Sequence, residues 1–164
     1  MSHTMELPRQ IVVGEKNIGE VGKFLRSLSN AKKVSIISGK NVKKIIGKEI
    51  DQSLKSAGIL TVWHFAISNE EKETILVQKK VKAAKSDIII GLGGGRSVDI
   101  AKLCAFNLKK PFVSIPTSAS HDGIASPFVS VRGERPHSIV ATAPLGVFVD
   151  LDIIKKAPKK LLAS

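Results

Sequence analysis

The stretch Asp87-Ile-Ile-Ile-Gly-Leu-Gly-Gly-Gly-Arg-Ser-Val-Asp-Ile-Ala-Lys102 holds the residues best suited to chemistry. An apolar run ends at Gly91, the three glycines Gly93, Gly94 and Gly95 follow, and helical periodicity sets in near Ser97. Glycines at such a place let the backbone come within hydrogen-bonding distance of a phosphate, and the bare amides and dipole of a helix start favour its negative charge. The chemistry on offer is the cradling of a diphosphate. The competing reading is a tight strand-to-helix turn, for which one glycine suffices and three are an excess. Neither common phosphate motif fits. G-x-G-x-x-G counted from Gly91 would need glycine at position 96, where Arg96 stands, and a P-loop ending at Gly95 would need glycine at position 90, which is Ile90.

A second stretch, Thr117 to Pro127, is polar, made of small residues and irregular in period, and reads as a loop. His121 and Asp122 are adjacent in it, but no third ligand stands at a spacing that would complete a metal site. His64 falls in a strand and reads as a partly buried core residue, His137 as a hairpin residue, and His3 belongs to a disordered start. The one cysteine, Cys104, has no partner for a disulfide and reads as a small core residue on a helix.

Short β-branched runs alternate with longer stretches of helical period, the mark of βαβ units. Strands are expected at Ile11 to Val13, Val34 to Ile37, Leu60 to Ile67, Asp87 to Gly91, Phe112 to Ile115 and Gly146 to Val149. Helices are expected after Asn17, over Val42 to Ser56, Glu71 to Ala84 and Ser97 to Leu108, and from Leu151 onward. Phe128 to Val131 and Ser138 to Thr142 flank a polar turn and predict a β-hairpin. The 164 residues, 43% hydrophobic, suit a single core. The expected fold is therefore one α/β domain over residues 1–164, a Rossmann-like parallel sheet flanked by helices with an added β-hairpin. Helical pattern is still running over Pro158 to Leu162, so the chain reads as cut.

A formal charge of +12 raises the possibility of a nucleic-acid partner. The lysines, however, fall in scattered pairs from Lys32-Lys33 to Lys159-Lys160, and one Trp, six Phe and no Tyr leave few platforms for stacking bases. Solvated helix faces and no nucleic-acid partner are the favoured reading, with a stand-alone nucleotide- or nucleic-acid-binding module as the alternative. No apolar run approaches the ~20 residues of a membrane span and no signal-peptide pattern opens the chain, which predicts a cytoplasmic protein.

Together, the glycine loop after the fourth strand and Ser120-His121-Asp122-Gly123-Ile124-Ala125-Ser126-Pro127 resemble the superfamily of glycerol dehydrogenase, iron-containing alcohol dehydrogenases and dehydroquinate synthase. Within it, the second motif is most similar to the glycerol-1-phosphate dehydrogenases of archaea. The resemblance implies NADH- or NADPH-dependent reduction of dihydroxyacetone phosphate to sn-glycerol 1-phosphate for ether-lipid synthesis. A polyol dehydrogenase or dehydroquinate-synthase-like activity remains the alternative within the superfamily. It also implies roles for residues. Gly93, Gly94, Gly95, Arg96, Ser97, Val98 and Asp99 would line the dinucleotide phosphates and adjoining groups. Thr117, Ser118, Ala119 and Ser120 would form a second cofactor loop, Asp122 would approach the substrate, and Ser126 would touch the cofactor. The zinc of that family is held by a later helical domain, so no metal ligand is expected in this chain, which would be inactive alone. A homo-oligomer is expected at full length. At the end of the second strand, Ser38 and Gly39 would meet the adenosine side. No acidic residue stands there to repel a 2′-phosphate, which predicts use of both NAD and NADP, with Lys40 or Lys43 near the extra phosphate.

Overall fold

Strands whose two faces are both apolar must be covered on both sides, and three runs of this chain meet that description. The computed structural model, which describes residues 7–68, 70–119, 124–131 and 137–157, places them side by side. They are β2 (Lys33–Ser38), β4 (Ile88–Gly93) and β5 (Phe112–Pro116), buried almost throughout. β1 (Gln10–Gly14), β3 (Leu60–Phe65) and β8 (Gly146–Asp150) complete a six-stranded sheet in the order β1-β8-β5-β4-β2-β3, and every pairing is parallel. β6 (Phe128–Val131) and β7 (His137–Val140) form a separate antiparallel pair, the expected hairpin, which ends at the Phe128–Val140 pairing and not at Thr142.

Parallel neighbours need long crossovers, and helices supply them. α1 (Val21–Leu28) and α2 (Lys40–Ser56) cover one face of the sheet, packing Phe24, Leu25, Ile50 and Leu54 against Val34, Ile36, Ile90 and Phe148. α3 (Glu71–Ala84) and α4 (Gly95–Leu108) cover the other, packing Val77, Val81, Ala101 and Cys104 against Ile37, Ile89 and Phe112. Cys104 is the expected core residue, and burial pushes its thiol up to about 12. His64 is more buried than expected: its Nε2 lies 2.9 Å from the Ser35 hydroxyl, and burial, then the charge of Lys80, lowers its pKa from the ordinary value.

Boundaries moved where pairing partners extend or end. β4 runs two residues past Gly91 because Leu92 and Gly93 still pair with Ile115 and Pro116. β3 stops at Phe65 because its sole neighbour, β2, ends opposite it at Ser38. The helix expected after Asn17 opens as a separate 3-10 turn, Ile18–Glu20. Asp150 explains this corner. It is 2% exposed, and one carboxylate oxygen accepts from the Asn17 and Ile18 amides at 2.8 and 2.9 Å. The other accepts from the Asp152 and Ile153 amides at 2.9 and 3.3 Å, capping α5 (Leu151–Lys155). One side chain thus closes two helix starts.

Gly91 serves packing. A Cβ built there would lie 3.0 Å from the Val98 backbone and the Ala101 side chain and 3.1 Å from the Phe112 ring. Gly91→Ala should force α4 off the sheet and destabilise the protein by roughly 1–3 kcal/mol, measured by urea unfolding. A loss below about 0.5 kcal/mol would show that α4 has slack against β4.

Candidate cofactor-binding site

The strand order makes an opening. From β2 the chain crosses by α2 on one face to β3, whereas from the neighbouring β4 it crosses by α4 on the opposite face to β5. The two helices therefore diverge from adjacent strand ends and leave a crevice at the carboxyl edge of the sheet, the place where open α/β sheets receive ligands. Ser38 pairs with Leu92, so Gly39 and the residues from Gly93 onward form its mouth.

Both helices start bare. α2 is capped by Gly39 and α4 by Gly94, neither start has a side-chain cap, and neither first turn carries an acidic residue. A Cβ on Gly39 would meet nothing within 4 Å, and one on Gly94 would meet only the Ser118 hydroxyl, at 3.5 Å. Gly93 has φ +142°, which a residue with a side chain adopts only under strain, and this turn swings the backbone from strand to helix. Two neighbouring helix starts without side-chain caps put partial positive charge at one edge of the sheet, which suits an anion with two phosphates.

Gly93, Gly94, Gly95 and Ser97 lie at the turn, with Ser97 buried beneath Gly93. Arg96 is exposed, and its Nη1 donates to the Ile67 carbonyl at 2.7 Å, which directs the guanidinium toward the end of β3. Val98 and Asp99 face inward. Val98 packs in the core while its amide donates to the Gly94 carbonyl at 3.2 Å, and Asp99 is 4% exposed. On the β5 side of the turn the Thr117 amide donates to the Gly93 carbonyl at 2.9 Å, which fastens the start of the β5–β6 connection to the glycine turn. Ser118 is buried against that turn and Ala119 is exposed. Ser120 and Asp122, with His121, lie outside the described residues.

On the β2 side, Ser38 is buried and Lys40 exposed. The Lys43 ammonium stands 4.9 Å from the Trp63 ring centroid and 5.5 Å from that of Phe65, a cation–π placement that holds it beside the α2 start. Sequence reasoning gave no role to Lys102. Its side chain is fully buried, and its ammonium donates to the carbonyls of Ser126 and Phe128 at 2.7 and 2.8 Å. The available signal was its place on the α4 stripe of Val98, Ala101 and Ala105, where a surface lysine does not belong. Among the described residues no group of three His, Cys, Asp or Glu side chains gathers to hold a metal ion, and no helix is long and apolar enough to cross a membrane.

A family model described as iron-containing alcohol dehydrogenase matches residues 12–158. The chain is 64% identical over 163 residues to a glycerol-1-phosphate dehydrogenase [NAD(P)+] of Nitrosopumilus maritimus, covering 99% of this chain and 46% of that protein. It is 57% identical over 163 residues to the enzyme of the same name from Cenarchaeum symbiosum, with the same coverage of each. The chain thus spans about half the length of the curated relatives it matches. Among solved structures, glycerol dehydrogenase from Schizosaccharomyces pombe superposes with TM-score 0.87 at 22% identity, covering 98% of this chain and 41% of that one. An iron-containing alcohol dehydrogenase from Thermotoga maritima gives TM-score 0.85 at 20% identity, covering 96% and 50%. These two likenesses establish the fold.

Proposed function

Because the chain belongs to the iron-containing alcohol dehydrogenase family, we propose that its crevice holds NADH or NADPH and that it is the cofactor-binding half of a cytoplasmic enzyme. That enzyme reduces dihydroxyacetone phosphate to sn-glycerol 1-phosphate. The observation that carries the cofactor part is the pair of glycine-capped helix starts facing one crevice at the strand-order reversal. The substrate follows the names of the relatives at 64 and 57% identity.

In this reading the amides of the first turn of α4, from Gly95 to Ser97, receive the diphosphate, with Gly93 and Gly94 admitting it to the backbone. Arg96 stands close enough in sequence to add its charge. The adenosine side rests over Ser38 and Gly39. The nicotinamide side lies along the segment from Thr117, where the small Ser118 and Ala119 leave room for a flat ring. Val98 and Asp99 support the turn from beneath. Bound NADH or NADPH supplies the hydride; this half of the enzyme orients it and keeps the diphosphate out of water. The roles of Ser120 and Asp122 belong to the same proposal. The described residues do not fit a zinc site, so no step is routed through a metal here.

Titrating NADH and exciting Trp63, the single tryptophan, tests the reading, because Trp63 lies one side chain from the α2 start and its emission overlaps nicotinamide absorption. Energy transfer that saturates with NADH supports it, and absence of binding at millimolar cofactor refutes it. With no carboxylate at the end of β2 to repel a 2′-phosphate, NADH and NADPH should bind within about tenfold of each other. A preference of about a thousandfold for NADH would contradict that part.

A further inference from the structure

Lys102 is among the largest fully buried side chains of the described residues, and its ammonium donates to two backbone carbonyls. Burial lowers it to about 8, against which the charge of Asp99, one helical turn earlier, favours the ammonium. A buried cation that reaches two carbonyls takes a core position that leucine or methionine would fill at lower desolvation cost, so what the contact holds in place matters. The geometry supplies one. The connection leaving β5 is fastened to the glycine turn at its near end, by the Thr117 amide on the Gly93 carbonyl. Lys102 fastens its far end, at Ser126 and Phe128, to the helix that begins at the same turn. Both ends of this wall of the crevice are thereby referred to one rigid unit, β4 with α4.

We propose that Lys102 is a positioning residue that sets the backbone from Ser126 to Phe128 relative to the glycine turn, and so decides how the nicotinamide half of the dinucleotide is received. The proposal rests on the cofactor reading above. The adenosine diphosphate half, held over Ser38, Gly39 and the α4 start, does not depend on this tie. Lys102 therefore tunes NADH affinity and leaves ADP affinity alone, which a residue needed only for folding would not do.

The test titrates ADP and NADH separately into the protein and into Lys102→Met, by calorimetry at pH 7. The expected result is ADP affinity within about twofold of the original protein and NADH affinity at least about tenfold weaker. Equal weakening of both ligands, or no change in either, overturns the proposal. Should Lys102→Met fail to fold, the unmodified protein decides between pH 7 and 9. There the ammonium, faced by Asp99 on α4 and by carbonyls of the β5–β6 segment, loses its charge and its charge-assisted hydrogen bonds. NADH affinity should then fall about threefold or more relative to ADP, and parallel pH profiles for the two ligands overturn the proposal. An unmodified protein that binds neither ADP nor NADH refutes the cofactor reading itself, and that is seen before any variant is made.

Discussion

Gly94→Val is expected to abolish NADH binding while leaving the fold unchanged. At Gly94 the backbone is extended, with φ −76° and ψ −177°, a conformation that valine adopts readily. A Cβ there meets only the Ser118 hydroxyl, at an ordinary 3.5 Å, so the folded chain accommodates it. The branched methyls then occupy the space above the α4 start that the diphosphate needs. A decrease in affinity of at least about 100-fold, about 2.8 kcal/mol, should appear in the Trp63 energy-transfer titration. The melting temperature should move by no more than about 2 °C. Gly93→Ala gives a different result. It places a side chain at φ +142° and 3.0 Å from the Ser97 hydroxyl, so stability and binding should fall together. If Gly94→Val binds NADH normally in a folded protein, the diphosphate does not lie on this turn.

The second large effect concerns stability. Asp150→Ala removes one carboxylate that accepts from four backbone amides and caps both the 3-10 turn before α1 and the start of α5. Losing a single N-cap costs about 1 kcal/mol, and hydrogen bonds to a charged group are worth about 1.5–3 kcal/mol each, though the four share one acceptor and do not add. A net loss of about 3 kcal/mol is expected, which for a chain of this size lowers the melting temperature by roughly 6–12 °C. Asp150→Asn keeps the size and one acceptor oxygen and should fall between the two. Calorimetric melts decide the matter: a drop of less than about 2 °C for alanine would mean that water replaces the carboxylate at no cost.

How legible these features were depended on whether they are local. The periodicity of Glu71–Ala84 gave that helix to the residue, and Asp87 to Gly91 could be read as a buried strand because Ile88, Ile89 and Ile90 leave it no polar face. Burial patterns do not name neighbours, however. Nothing in the Gln10–Gly14 run says that it pairs with Gly146–Asp150, because that choice depends on which helix covers which face. The glycine turn was legible for a local reason, three residues without side chains ahead of a helix. The crevice it opens into was not, since that depends on the order of β2 and β4. Arg96 was assigned to phosphates by its place in the motif, and that its Nη1 donates to the carbonyl of Ile67, on a distant connection, could not be read from that motif. Lys102 was missed because residue type argued for solvent while helical position argued for the interior. Position prevailed because two carbonyls and a neighbouring carboxylate were within reach.

Among the described residues the edge strand β1 pairs with no strand but β8, the last of the sheet in sequence. A ribosome therefore delivers β1 long before β8, its partner in this sheet, exists. Until then Val12, which packs against the core in the folded chain, and the open β1 ladder remain without their native cover. The pairings among β2, β3, β4 and β5 are available earlier in synthesis, so this sheet should assemble outward from the middle and gain β1 and β8 later, when Asp150 ties the 3-10 turn to the start of α5. Chaperone demand on this protein is thus written into strand order, and shortening the interval between β1 and β8 by circular permutation should lessen it.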